Sequence, residues 1–264
     1  MIEYKLENSN GDTLALNDST VTGMERKSLT LGEDNYSIEW KIVDKSGQPG
    51  SVALGKARMK EREITIFFVR AYQDYQDFRN KANELLAFLE DTIYIIDSTN
   101  NRKISVAAIG YKVPYETGSY QHLSDDSITF TALNPFWEDI TPQTVNQSLS
   151  GGDINDVLLD VGGSLEVPPI ITLTGTIATA TLQMYVSETK QGIEWNDSIF
   201  GTVGFEEAII DNDLGTLNIG TLDRTQNISA GTGFFKLPLG GSTLKVIPAE
   251  DITISISWNE RYYL

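Results

Sequence analysis

The sequence contains no cysteine. That excludes disulfide staples, thiolate zinc sites and cysteine nucleophiles, and it makes the chain indifferent to the redox state of its compartment. Histidine is nearly as scarce. The single one, His122, sits in the loop-like stretch Tyr120-Gln-His-Leu-Ser-Asp-Asp126. Ser124 and Ser127 lie close by in sequence, but a Ser-His-Asp triad is assembled by the fold rather than by chain neighbours, and no Gly-x-Ser-x-Gly elbow is present. His122 therefore reads as an exposed loop residue. No apolar run approaches the roughly 18 residues of a membrane span. Met1-Ile-Glu-Tyr-Lys5 lacks the basic and apolar segments of a secretory signal, so synthesis in the cytoplasm is expected. Phosphate-cradling and dinucleotide fingerprints are missing too. Asp211-Asn-Asp-Leu-Gly215 begins like a calcium loop but places Gly215 and Leu222 where oxygen ligands belong, and it fits a turn between strands better. The sequence thus gives no catalytic residue, no cofactor and no metal ligand set, and it reads as a structural module.

Basic residues are few. Lys and Arg number 20 against 37 Asp and Glu, a net charge of −17. Residues 1–145 carry −7 and residues 146–264 carry −10. Such a chain is poorly suited to gripping phosphate backbones, because that affinity comes from cations displacing counterions. The charge reads either as solubility or as a surface that repels nucleic acid.

What the chain has is alternation. Ile64-Thr-Ile-Phe-Phe-Val69, Ser127-Ile-Thr-Phe-Thr-Ala-Leu133 and Asp251-Ile-Thr-Ile-Ser-Ile-Ser-Trp258 are rich in β-branched and aromatic residues. Ile128, Phe130 and Ala132 share one face, as do Ile252, Ile254, Ile256 and Trp258, the pattern of half-buried strands. One stretch, about 74–90, has helical spacing instead, with Tyr75, Phe78, Ala82, Leu85, Leu86 and Leu89 on a stripe, Asp74 as cap and Asp77 near the positive end of the dipole. The polar stretch 139–152 ends rich in Gly and Ser, a second glycine pair follows at Gly162-Gly163, and Val167-Pro-Pro-Ile-Ile171 opens a new apolar strand. The expected fold class is mainly β, with an α+β domain over 1–145 built around one main helix and an all-β sandwich over 146–264.

Two features ask for a role. Asn134-Pro-Phe-Trp137 follows directly on a strand. Pro135 ends the ladder for want of an N–H, and Phe136 and Trp137 offer large apolar surface at the start of the interdomain segment. Pro135, Phe136 and Trp137 are therefore expected to form a buried structural junction. Lys56, Arg58, Lys60 and Arg62 alternate and so share a strand face. They form either a solvated stripe or a subunit interface facing an acidic patch on a neighbour.

In order along the chain, the strand 55–70, the helix carrying Asn83-Glu-Leu-Leu86 and the Asn-Pro-Phe-Trp exit resemble the N-terminal half of siphophage distal tail proteins. Ile209-Ile-Asp-Asn-Asp-Leu-Gly-Thr-Leu-Asn218, Gly233-Phe-Phe-Lys-Leu-Pro-Leu-Gly240 and Ser242-Thr-Leu-Lys-Val-Ile247 resemble their C-terminal, galectin-like sandwich. Contractile particles share the pattern. The resemblance implies a virion structural protein of the tail tip or baseplate: a hexameric ring of copies of itself, formed by the N-terminal domain. Such a ring joins the tail tube protein to the tail-tip or hub protein, and DNA passes through its lumen without specific binding. A lumen wall dominated by carboxylates is expected to keep the duplex centred. Galectin sugar recognition uses histidine and arginine, whereas residues 146–264 hold no histidine and only Arg224 and Arg261. The alternative is a carbohydrate-binding module for host surface glycans, reading sugars through Trp195, Tyr185 or Trp258.

Overall fold

The structure, a computed structural model, describes residues 4–16, 30–44, 51–70, 75–112, 124–175, 181–196 and 207–263. In 30–44, 51–61, 68–70 and 124–126 it defines the backbone pairing. His122 and Asp74 lie outside the described residues. The chain divides into two compact units, Met1–Trp137 and Glu138–Leu264. The division falls earlier than the 145/146 boundary expected from the Gly- and Ser-rich stretch, because Gln143–Leu149 is a regular strand of the second unit.

In the first unit, β1 (Tyr4–Asn8), β2 (Thr13–Ala15), β3 (Thr30–Asp44) and β4 (Ser51–Arg70) precede α1 (Tyr75–Leu89). After it come β5 (Thr92–Asp97), β6 (Arg102–Lys112) and β7 (Ser124–Ala132). The strands run β2-β1-β5-β6-β7-β4-β3, each antiparallel to its neighbour. Register converts the sequence alternation into a core. Arg62 stands opposite Ala132, Ile64 opposite Phe130 and Ile66 opposite Ile128, and all six side chains are buried. The intervening Glu63 and Phe67 are exposed, while Thr65 shares a 3.2 Å hydroxyl contact with Thr129.

The helix buries a narrower stripe than its sequence suggested. Leu85 and Leu89 are buried, Phe78 and Ala82 are half-buried, and Tyr75 and Leu86 face outward. The spacing 78, 82, 85, 89 follows one line down the helix, whereas Leu86 is rotated by about 100° from Leu85 at 3.6 residues per turn. Asp77 pairs with Lys81 at 3.0 Å, one turn apart. No helix among the described residues is long and apolar enough to cross a membrane.

The second unit starts within β8 (Trp137–Asp139). The strands β9 (Gln143–Leu149), β10 (Asn155–Val161), β11 (Ile170–Gly175), β12 (Thr181–Val186), β13 (Gly192–Asn196) and β14 (Ala208–Asp211) follow. Next come β15 (Thr216–Ile219), β16 (Leu222–Asp223), β17 (Gly240–Pro248), β18 (Ile252–Trp258) and β19 (Arg261–Tyr262). Strands β9 to β18 form a four-stranded sheet, β10-β17-β12-β13, and a six-stranded sheet, β16-β15-β14-β11-β18-β9, while β19 pairs with β8. Both sheets contribute to one apolar core that includes Val157, Leu159, Met184, Trp195 and Val246 from the first and Ile171, Leu173, Ile210, Ile254 and Ile256 from the second. Two antiparallel sheets facing one core make a β-sandwich. The alternation read in 251–258 is borne out: Ile252, Ile254, Ile256 and Trp258 are buried and Thr253 is exposed.

Candidate functional site

The residues proposed for the junction and for the basic stripe meet in one place. Arg62 has the same parity along β4 as Ile64 and Ile66, so the strand turns it into the core, where it is 1% exposed. Its Nη1 donates to the Pro135 carbonyl at 3.1 Å, and its guanidinium carbon lies 5.9 Å from the centroid of the Trp137 ring. Trp137 is 5% exposed and has the Tyr4 ring 6.5 Å away. A guanidinium removed from water needs such partners, a carbonyl and an aromatic face, to offset its desolvation. Pro135 and Phe136 are half-buried, and the Phe136 N–H reaches the Asn134 side-chain oxygen at 3.4 Å.

The basic stripe is therefore not one surface. Arg62 is spent inside the first unit and is not available to a neighbouring subunit. Lys56, Arg58 and Lys60 lie on the distal part of β4, where the backbone alone is described. That distal part is unusual in its pairing. β7 accompanies β4 only over Arg62–Arg70. Among the described residues β3 is the one strand paired with the segment 51–61, in a register that runs from Ile38 opposite Met59 to Asp44 opposite Ser51. The sheet thus extends into a two-stranded arm. Isolated two-stranded ribbons are marginal in water and need packing from elsewhere. Along β3 of the arm, Tyr36, Ile38, Trp40 and Ile42 alternate with Ser37, Glu39 and Lys41, the sequence pattern of a strand with one apolar face.

The aromatic residues of the glycan alternative are placed differently from one another. Trp195 is 1% exposed and Trp258 4%, both within the sandwich core. Neither can lie flat against a sugar ring. Their sequence setting, an aromatic in a strand, fits a core position and a platform equally well. Tyr185 is half-buried, with Lys190 Nζ 5.7 Å from its ring centroid. Opposite it in register stands Lys245, whose ammonium is held above the ordinary lysine range by its 2.7 Å hydrogen bond to Asp156. Arg261 is buried between Glu138 and Asp213, and so is committed to carboxylates of its own unit.

The Asp211–Gly215 stretch is the turn of the β14–β15 hairpin. Asp211 Oδ1 accepts from the N–H groups of Asp213 and Leu214, both at 2.9 Å, and Gly215 takes φ +67°, which only glycine adopts without strain. Sequence reasoning missed Asn212 there. Its side chain is buried, donates to the Pro169 carbonyl at 2.8 Å and accepts from the Phe235 N–H at 2.9 Å. It joins two segments far apart in sequence. Asn212→Ala strands the buried Phe235 N–H and should cost about 1–3 kcal/mol. Urea unfolding checks this, and an unchanged midpoint would rule out the bridge as a source of stability.

No protein-family model matches the chain, and no curated relative matches it. Solved structures do. The crystal structure of SPP1 Dit, described as a paradigm of the hub adsorption apparatus in phages infecting Gram-positive bacteria, superposes with a TM-score of 0.66 at 14% identity, over 98% of each chain. A chain of the phage P2 baseplate in its activated conformation with calcium matches with a TM-score of 0.52 at 8% identity, over 97% of this chain and 98% of that one. The form with strontium gives 0.52 at 9% over the same shares. Over its whole length, then, the chain is similar in fold to a phage distal tail protein and to baseplate components, as the resemblance in its sequence implied.

Proposed function

We propose that the protein is a structural component of a phage tail tip or baseplate rather than an enzyme. Six copies close into a ring through the first unit. The ring joins the tail tube protein to a tail-tip or hub protein, and DNA passes through its centre. The observation that carries this reading is the match of both units, in order and over 98% of each chain, to SPP1 Dit. The two-stranded arm supports it, because an arm that its own sheet does not support is suited to packing on a neighbouring copy. The protein would be made in the host cytoplasm and reside in the virion tail. The glycan-binding alternative loses two of its three aromatic residues to the core, and no observation favours it over the ring.

The ring predicts a closed species. Native mass spectrometry at low micromolar concentration should show a hexamer. Monomer alone, with and without a tube protein added, would count against ring formation. Lys56, Arg58 and Lys60 are then expected at a subunit interface or on the outside, with carboxylates dominating the lumen wall, since a basic lumen would retain the duplex.

A further inference from the structure

The last strand of the chain closes on the first residues of the second unit. β19 pairs with β8, and the Asp139 N–H donates to the Glu260 carbonyl at 3.1 Å. Side chains reinforce the pair. Arg261 Nε donates to Glu138 Oε1 at 2.8 Å and Arg261 Nη2 to Asp213 Oδ2 at 2.9 Å. The Tyr262 hydroxyl donates to Glu260 Oε2 at 2.7 Å and also approaches Asp139 Oδ2 at 3.4 Å.

The other side of β19 is held as well, and here the second glycine pair finds its purpose. The Gly162 N–H donates to Glu260 Oε1 at 3.0 Å and the Ser164 N–H to the Arg261 carbonyl at 2.8 Å. A Cβ on Gly162 would meet Glu260 Oε2 at 2.5 Å. One on Gly163, whose φ is +78°, would meet the Arg261 carbonyl at 2.7 Å. At Gly162 the Glu260 side chain could shift aside, but at Gly163 the clash is with backbone and the φ is left-handed, so glycine is required there. The short strand is therefore gripped from three places: β8, the loop at 162–164 and the β14–β15 turn.

These contacts all lie within the second unit and converge on its first two residues, Glu138 and Asp139. We propose that Glu260–Tyr262 acts as a clasp on this start of its own unit. Closed, it fastens the Asp139 amide and the Glu138 carboxylate to β19. Opened, it frees both from β19. Charged hydrogen bonds at a partly exposed site hold it, while the core of the sandwich lies elsewhere, so it can open without unfolding the unit. The inference is independent of the ring, because every contact in it lies within one chain.

Hydrogen exchange on the full chain tests this at the Asp139 amide. The wild type should protect it. Arg261→Met should lower that protection by about tenfold or more, while amides of β11 and β18 stay unchanged, the mark of a local opening. Glutamyl endopeptidase should then cut after Glu138 faster than in the wild type. Unchanged protection at Asp139 would overturn the clasp, and so would an equal loss across all strands of the unit. Should Arg261→Met fail to fold, Tyr262→Phe, which removes only a hydroxyl, reads the same amide. Lowered protection supports the clasp and unchanged protection overturns it.

Discussion

Trp137→Ala should cost the protein about 3–5 kcal/mol, the range for deleting a buried aromatic side chain. Trp137 is 5% exposed and does two things at once. Its indole fills space beside Tyr4, and its face shields the buried guanidinium of Arg62. Alanine leaves a cavity and also opens that cation to poorer surroundings, a second loss because a cation–π contact at a desolvated site is worth about 2 kcal/mol. Thermal unfolding of the wild type and variant measures the effect, and a loss of this size lowers the midpoint by several degrees. A midpoint within about 1 °C of wild type would show that the side chain is not a keystone. Trp137→Phe keeps an aromatic face over Arg62 and should recover part of the loss. The double change Arg62→Met with Trp137→Ala should cost less than the sum of the single changes, since the two residues are in contact.

Shortening the arm should abolish the proposed ring while leaving the protomer folded. Glu39 and Arg58 are in register. Replacing the intervening residues with a two-residue Asn-Gly turn preserves the hairpin, because that turn matches the twist of paired strands. The core strands β4, β6 and β7 keep their register, so the melting temperature should stay close to wild type. Native mass spectrometry should shift from the closed species to monomer. A shortened protein that still closes would assign ring formation to another surface. A shortened protein that unfolds would place the arm within the protomer's own stability and remove the argument for its assembly role.

Much of the fold was legible because strand alternation is a local signal. Ile128, Phe130 and Ala132 stand two residues apart and are buried together, as are Ile252, Ile254, Ile256 and Trp258. The helix was legible for the same reason at a different period. The basic stripe shows how such a signal misleads. Lys56, Arg58, Lys60 and Arg62 read as one face, yet Arg62 also sits two residues before Ile64, which is core. Both readings were present in the spacing. Charge favoured solvent, and the carbonyl of Pro135 with the ring of Trp137 decided otherwise.

The expected boundary at 145/146 and the division after Trp137 differ for another reason. A stretch of Gly, Ser, Thr, Asn and Gln looks like a linker by composition. However, Gln143–Leu149 is paired along its length with β18, over a hundred residues away in sequence. A strand with one polar face on the outside of a sheet and few charges has the composition of a loop.

The sequence by itself therefore determined the periods: mainly β structure, one amphipathic helix and no thiol chemistry. It did so because period, turn chemistry and composition act between residues a few positions apart. The tertiary structure alone decided which charged groups are buried, which aromatics are core and where the units divide. Arg261 meets Glu138 across 123 residues, and Asn212 reaches Pro169 across 43. Such partners satisfy buried polar groups that no local pattern can pair, because the partner of a buried donor is chosen by the fold's register and not by the donor's neighbours in the chain.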